Sequence, residues 1–111
     1  MKAIRKNGEI QWLQFDACHD GVGTVECKSL LDGLESRKFG FMHCDNMKAG
    51  VSIGVHEHKD SEEIYYLVSG KGLLTFDGVE YEMEPGDISL CGYGHSHGLL
   101  AVEDSVLIVV G

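Results

Sequence analysis

The sequence predicts an all-β domain of short strands arranged as a sandwich or a barrel. Runs of β-branched and aromatic residues recur along the chain and are separated by glycine, asparagine and aspartate. No segment has the apolar spacing of a convincing helix, although residues 29–34 are expected to form a short turn. Many short strands separated by such turns are typical of a sandwich or a barrel.

The dipeptide Asp77-Gly78 is the clearest local signal, because it predicts a two-residue β-hairpin in which both turn positions adopt positive φ. The strand that begins at Glu63 has apolar residues on both faces, so we expect its outer face to be covered by the N-terminal segment or by a second subunit. Strand-forming residues predict strands at 38–46, 51–58, 63–69, 71–76, 79–83, 87–91, 97–102 and 106–110.

Residues 1–37 precede these strands, and we interpret them as an N-terminal extension that packs on a barrel formed by residues 38–111. Trp12, Phe15 and Val25 give the extension enough apolar character to pack instead of forming a disordered tail. We expect it to add one or two strands. The 111 residues are enough for one domain with its own core.

The charge of the chain excludes some classes of partner. It has 18 acidic and 9 basic residues, a formal net charge of −9, and no basic stripe. Because this charge repels phosphate backbones, we expect no nucleic-acid partner. No apolar run is long enough for a signal peptide or a membrane span, which predicts a cytoplasmic protein without membrane contact.

The four cysteines are widely spaced and include no Cys-x-x-Cys pair. We interpret Cys18, Cys27, Cys44 and Cys91 as reduced residues that are buried as small hydrophobic side chains. Cys91 has an alternative interpretation as a redox-sensitive thiol, because it precedes a candidate functional histidine, His97.

Four side chains have a spacing that suits one metal ion. His56 and His58 lie two apart on a predicted strand, so both point to the same face, about 6.6–6.8 Å apart along it. Glu63 follows a polar turn and is expected to open the next strand, facing the histidines. His97 follows the turn at residues 85–87. Three neutral imidazoles and one carboxylate are a normal ligand set for a divalent transition metal.

The order and spacing of these residues resemble those of the cupin family. Residues 50–70 resemble the first cupin motif, and residues 78–97 resemble the second, with His97 at the position of the family's last metal ligand. The resemblance covers about two thirds of the chain. It implies a double-stranded β-helix, the jelly-roll barrel of cupins, with a divalent ion of Mn, Fe, Ni, Cu or Zn inside, bound by His56, His58, Glu63 and His97.

Two departures from the second motif are visible. The stretch between Gly78 and Pro85 is one residue longer than usual, and Leu100 or Ala101 stands where cupins often have an asparagine. Neither departure affects a ligand position.

Two other carboxylates lie next to the predicted ligands. Glu62 is the alternative to Glu63, but only one of these neighbours can face inward on a strand, and the spacing to Gly70 favours Glu63. Glu57 is expected to point outward between the two histidines.

Several further side chains are candidates for the pocket. His95, His43 and Tyr93 are candidate catalytic residues, with His95 as a proton shuttle or a hydrogen-bond partner of a ligand. The alternative interpretations are a solvated loop residue for His95 and an ordinary strand residue for His43. Core packing is the favoured interpretation of Tyr65. His19 lies in a polar loop and is assigned no role.

The ligand set limits the chemistry. A six-coordinate ion with four protein ligands retains about two open positions, which allow a substrate to chelate through two oxygens. This predicts a metal-dependent enzyme acting on a small oxygenated metabolite, of the isomerase, lyase, decarboxylase or dioxygenase type. The alternative is a non-catalytic module that binds or senses a small ligand. Because small cupins are commonly dimers, the resemblance also implies a homodimer.

Overall fold

The computed structural model describes residues 2–111 as two antiparallel sheets with a shared core, which confirms the predicted all-β jelly-roll fold. The six-stranded sheet has the order β1-β2-β3-β10-β5-β8, and the four-stranded sheet has the order β4-β9-β6-β7. The two sheets are hydrogen-bonded separately and do not close into one continuous barrel. The strands are β1 (Leu13–Asp16), β2 (Thr24–Ser29), β3 (Met42–Met47), β4 (Ser52–His58), β5 (Glu63–Ser69), β6 (Gly72–Phe76), β7 (Val79–Met83), β8 (Ile88–Cys91), β9 (His95–Ala101) and β10 (Ser105–Val110).

The predicted hairpin is present between β6 and β7. Phe76 pairs with Val79, and the two turn residues have positive φ, 47° at Asp77 and 80° at Gly78. The strands differ from the prediction mainly at their ends, since β3 begins later and β9 begins two residues earlier, at His95. The helices described in residues 2–111 are two 3₁₀ turns, at Asn7–Glu9 and Cys18–Asp20, and none is long and apolar enough to cross a bilayer.

Alternation along the strands builds the core between the sheets. In β10, for example, Leu107 and Val109 are buried while Val106 and Ile108 on the other face are only partly covered. Each fully buried side chain of this size contributes about 1.5–3 kcal/mol relative to an exposed one. The core consists of Val25, Met47, Ile53, Tyr65, Leu67, Leu74, Met83, Leu99, Ala101, Leu107 and Val109.

The N-terminal segment contributes two strands, which continue the larger sheet beyond β3. They therefore lie at the edge of this sheet that is opposite to β8, and they do not cover the outer face of β5. Tyr66 and Val68 on that face are 41% and 46% exposed. Coverage by the N-terminal segment was thus the wrong alternative, and coverage by a second subunit stays a prediction, as does the boundary between residues 37 and 38.

The cysteines are free thiols, as the sequence predicts. Cys27 and Cys91 are buried, and Cys18 and Cys44 are half-buried. Burial raises the pKa of all four thiols, and for Cys91 the negative charges of Asp77 and Glu63 act in the same direction. A buried thiol with a raised pKa is a poor nucleophile.

We therefore expect Cys91 to react with iodoacetamide much more slowly in the native protein than in protein denatured with urea. The measurement is peptide mapping by mass spectrometry after timed alkylation at neutral pH. Rapid native alkylation of Cys91, at a rate close to that in urea, would contradict this expectation and restore its interpretation as a redox-sensitive thiol.

Candidate metal centre

The fold brings the four predicted ligands together between the two sheets. His56 on β4 lies directly opposite His97 on the antiparallel strand β9, and His58 follows two residues later on β4. Glu63 is the first residue of β5, in the other sheet. One ligand atom from each of the four side chains lies within 4.8 Å of the others.

The distances within this cluster match those around a single ion. Glu63 Oε1 lies 3.0 Å from His97 Nε2, 3.5 Å from His58 Nε2 and 3.9 Å from His56 Nε2. The Nε2 atoms of His58 and His97 are 3.0 Å apart. Two ligand atoms that each lie about 2.1 Å from an ion, at right angles, are separated by about 3 Å. The cluster thus has the dimensions of a four-ligand site.

Hydrogen bonds to the remote ring nitrogens orient two of the imidazoles. His56 Nδ1 donates to the carbonyl of Gly54 at 2.8 Å, and this tautomer leaves an acceptor lone pair on Nε2. His58 Nδ1 lies 2.9 Å from Ser61 Oγ. Among residues 2–111, the buried His56 Nε2 has no hydrogen-bond partner. A buried lone pair without a donor, facing a carboxylate and two more imidazoles, fits a bound cation.

His97 is the most deeply placed member of the cluster. Its side chain is 0% exposed, and its ring stacks on that of Tyr65 with centroids 4.1 Å apart and an interplanar angle of 17°. Tyr65 is itself part of the core, as the sequence predicts. This packing fixes the ring plane of His97.

The electrostatics of the cluster favour an ionised carboxylate. Burial raises the pKa of Glu63, but the imidazoles of His56, His97 and His58 outweigh burial and hold this pKa well below its usual value. Burial lowers the pKa of His58. For His56, burial acts in the same direction, but Glu63 and the Gly54 carbonyl outweigh it and raise the pKa. The site thus offers a permanent negative charge and nitrogen donors to a cation.

One neighbour of the cluster was missed by sequence reasoning. The ring of His19 stacks on that of His56, with centroids 3.6 Å apart and an interplanar angle of 12°. The backbone around it is unusual, since Ala17, His19 and Asp20 have φ values of 50°, 49° and 62°. Such conformations cost about 1–3 kcal/mol each and persist where the surrounding structure imposes them. Residue type and spacing give no signal for this contact, which depends on how the loop lies over β4.

The other candidates are placed as follows. His95 Nδ1 contacts Asp77 Oδ2 in the β6–β7 turn, and its ring is not one of the four clustered ligands. Tyr93 is 65% exposed. Glu62 and Glu57 are exposed, so among these three carboxylates Glu63 is the one that faces the histidines. The catalytic roles of His95, His43 and Tyr93 stay predictions.

His43 lies outside the four-residue cluster. Its Nδ1 is 2.8 Å from Oδ1 of the buried Asp45, and its ring stacks on Phe41 with centroids 5.3 Å apart. Together with Cys27, these two polar residues form a second group of clustered ligand atoms. From the sequence alone, Cys27 is predicted only as a buried hydrophobic side chain.

Comparisons with known proteins agree with this fold. The sequence model of the cupin domain family matches residues 45–111 of this chain. A relative named oxalate-binding protein, from Thermotoga maritima, is 29% identical over 100 residues, covering 86% of this chain and 80% of the relative. A solved structure of a predicted oxalate decarboxylase from Thermotoga maritima has a TM-score of 0.82 at 24% identity, covering 96% of this chain and 94% of that chain.

The structure of KdgF from Halomonas sp. is also similar, with a TM-score of 0.82 at 21% identity over 99% of this chain and 92% of that chain. At these identities the solved structures establish the fold alone. The family match spans more than half of the sequence, and it includes the positions of the three clustered histidines and Glu63. The chain therefore belongs to the cupin family.

Proposed function

We propose that His56, His58, Glu63 and His97 hold one divalent transition metal ion, and that the protein is a metal-dependent enzyme acting on a small oxygenated metabolite. The observation that carries this proposal is the convergence of three imidazole Nε2 atoms on Glu63 Oε1, at 3.0, 3.5 and 3.9 Å. The donor set of nitrogen and oxygen suits Mn, Fe, Ni, Cu or Zn. When bound, the ion supplies Lewis acidity toward substrate oxygens.

A small dicarboxylate is the first substrate class to consider. The chain carries a net charge of −9, which disfavours an anion everywhere except next to a bound cation. Three neutral imidazoles and one carboxylate leave a divalent ion with a net charge near +1. The relative from Thermotoga maritima that is named oxalate-binding protein supports oxalate as the probe with which to begin.

The residues of this chain do three things in the proposed reaction. The four ligands place the ion, and the Gly54 carbonyl holds His56 in the tautomer that accepts a metal through Nε2. Tyr65 covers the buried face of His97 and excludes water from that side. His19 is more than one third exposed and stacks on His56, so it provides a titratable side chain at the border of the cluster.

A second candidate function is binding without turnover. The name of the relative describes binding and no reaction. In this case the same metal and ligand would be held by the same residues, and the ligand would leave unchanged. The fold does not distinguish the two candidates, because function depends on the site and not on the barrel.

Elemental analysis of untagged protein purified without chelator tests the metal. The wild type should contain close to one equivalent of a divalent transition metal at this site, and a double variant with His58→Ala and Glu63→Ala should lose it. Glu62→Ala is the matched control, because Glu62 is the exposed neighbour of Glu63. Wild-type protein that neither contains nor takes up metal would refute the proposal.

Titration calorimetry and product analysis then separate the two candidates. Oxalate should bind the metal-loaded protein and not the metal-free protein. Product formation from oxalate or from a panel of hydroxy acids, keto acids, sugars and catechols would support the enzyme. Metal-dependent binding with no product from any of them would favour the binding module.

We also propose that the protein is a homodimer, formed through an apolar patch on the outer face of the larger sheet. Tyr66 and Val68 on β5 and Ile88 and Leu90 on β8 share this face and are 41–64% exposed. Contiguous exposed apolar side chains of this kind mark interaction surfaces.

Light scattering should therefore give twice the chain mass at micromolar concentration. A double variant with Val68→Lys and Ile88→Lys should give the monomer mass, because it places like charges in a desolvated interface. Val79→Lys is the control, since Val79 is 52% exposed on the other sheet. A monomeric wild type would contradict the proposed dimer.

A further inference from the structure

A second group of potential ligands lies on strands β2 and β3. Cys27 on β2 is directly opposite Asp45 on β3, and His43 lies two residues before Asp45, on the same face. One ligand atom from each of these three side chains lies within 4.8 Å of the others. The group shares no residue with the four-residue cluster, and β10 separates β3 from the Glu63 strand.

Burial makes this group unusual. Asp45 is 2% exposed and Cys27 is 5% exposed, whereas the His43 side chain is 25% exposed. A carboxylate taken out of water needs a compensating partner, because an isolated buried charge costs several kcal/mol. In this structure Asp45 Oδ1 lies 2.8 Å from His43 Nδ1. A half-buried histidine is the partner of an almost fully buried carboxylate.

The same three side chains border a cavity of about 290 Å³. The remaining walls are largely apolar, with Leu13, Phe15 and Val25 among them. A thiol, an imidazole and a carboxylate therefore face one half-open space with room for a further small ligand. Three protein ligands with one open position are typical of a catalytic zinc site.

We propose that Cys27, His43 and Asp45 form a second metal site, which binds one zinc-like divalent cation through a thiolate sulfur, an imidazole nitrogen and a carboxylate oxygen. Its fourth position opens to the cavity that Leu13 and Phe15 of β1 border. This site goes beyond the proposed function and does not depend on it.

The His43–Asp45 pair requires only a small adjustment to share a cation. Ligand nitrogen and oxygen atoms about 2.0–2.1 Å from a tetrahedral ion are separated by about 3.3 Å. The 2.8 Å between His43 Nδ1 and Asp45 Oδ1 would open by about half an ångström. Coordination replaces this hydrogen bond by two bonds to the cation, and it deprotonates the thiol.

The donor set separates the two sites chemically. The four-residue cluster contains nitrogen and oxygen donors, whereas the proposed second site contains sulfur. Thiolate coordination favours zinc and related borderline or soft cations, while the first site also accommodates manganese and iron. A spectroscopic signal from a metal–sulfur bond therefore reports on the second site alone.

The test is titration of the metal-free, reduced, full-length protein with Co²⁺ as the probe. We expect two equivalents to bind and a thiolate-to-cobalt charge-transfer band to appear in the near ultraviolet. Cys27→Ser should remove the band and one equivalent. Cys44→Ser is the matched control, because Cys44 lies between His43 and Asp45 on β3 and points to the opposite face.

Two further variants keep the outcome decisive. His43→Gln retains the thiol and should lose the second equivalent, which covers the case in which Cys27→Ser fails to fold, as judged by circular dichroism. The double variant with His58→Ala and Glu63→Ala should lose one equivalent and retain the band. Failure of the first site would thus be distinguished from failure of the second.

Absence of the band in the wild type at excess Co²⁺ would overturn the proposal. A band that persists unchanged in Cys27→Ser, or that is lost equally in Cys44→Ser, would overturn it as well. In these cases the group is a hydrogen-bonded pair, His43 and Asp45, with an inert neighbouring thiol.

Discussion

Replacing Glu63 by glutamine is expected to weaken metal binding at the four-residue cluster by at least about a hundredfold, or ~2.7 kcal/mol. Glutamine keeps the size of the side chain but removes the formal charge that the cluster offers to a cation. It also places an amide near three imidazoles. The NH₂ group of this amide would face His97 Nε2, which lies 3.0 Å from Glu63 Oε1 in the wild type. Competition with a chromophoric chelator measures the change.

The control for this substitution is Glu62→Gln, which removes the same charge from the exposed neighbouring position. It should leave the affinity within about twofold of the wild type, because a solvent-exposed charge is strongly screened. An equal loss of affinity in both variants would show that overall charge, and not coordination by Glu63, determines binding.

The same variant has a second readout in the metal-free protein. The pKa of Glu63 is lowered in the folded state, so the unfolded state binds more protons as the pH falls. Its contribution to the free energy of unfolding is therefore fully present above the unfolded pKa of about 4.3 and is lost as the pH falls toward the folded pKa. In a plot of the free energy of unfolding against pH, the decrease on the acid side (the acid limb) should therefore be less steep in Glu63→Gln than in the wild type.

His56 affects the free energy of unfolding at higher pH than Glu63 does. Its pKa is raised in the folded state, so its contribution to stability is present below the unfolded pKa of about 6.5 and is lost as the pH rises through the folded value. Urea unfolding of metal-free protein across both ranges separates the two residues. An unchanged acid limb in Glu63→Gln would contradict the assignment of that limb to Glu63.

The parts of the site that follow from local periodicity could be predicted from the sequence. His56 and His58 share a face because side chains alternate along β4, and Glu63 returns to them because a short polar turn precedes β5. The Asp77-Gly78 hairpin was predictable for the same reason, since turn chemistry is local. Local periodicity alone does not place His97 near the other three residues, because its position opposite His56 depends on the pairing of distant strands.

Contacts that depend on tertiary register could not be predicted. Nothing in the sequence places Cys27 opposite Asp45, because that pairing is fixed only when β2 docks on β3. The N-terminal strands extend the larger sheet instead of covering β5, and their apolar content alone does not distinguish these two arrangements. The stacking of His19 on His56 depends on three residues with positive φ, none of which is glycine.

The loop that holds His19 is the basis of a second large effect. Replacing Gly54 by alanine is expected to destabilise the protein by about 2–4 kcal/mol and to weaken metal binding about tenfold to a hundredfold. A Cβ atom at Gly54 would lie 1.9 Å from the backbone oxygen of His19 and 2.9 Å from the backbone nitrogen of Gly21. Both neighbours are backbone atoms, so the loop or the strand has to move.

Either movement reaches His56, one of the proposed metal ligands. The Gly54 carbonyl accepts the hydrogen bond from His56 Nδ1, so a shift of β4 at this point rotates the His56 ring. A shift of the loop instead removes His19 from the face of the His56 ring on which it stacks. The two observables, the free energy of unfolding and the metal affinity, should therefore change together in Gly54→Ala.

Comparison variants separate crowding from the general effect of replacing glycine. Gly8→Ala meets no atom within 4 Å and should leave both observables close to the wild type. His19→Ala removes the stacked ring without crowding, and it should lower metal affinity less than Gly54→Ala while leaving stability nearly unchanged. His19→Phe restores an aromatic plane and should recover the affinity if stacking orients His56. A wild-type affinity in Gly54→Ala, despite reduced stability, would show that His56 is held by the metal and its other ligands and that the loop does not position it.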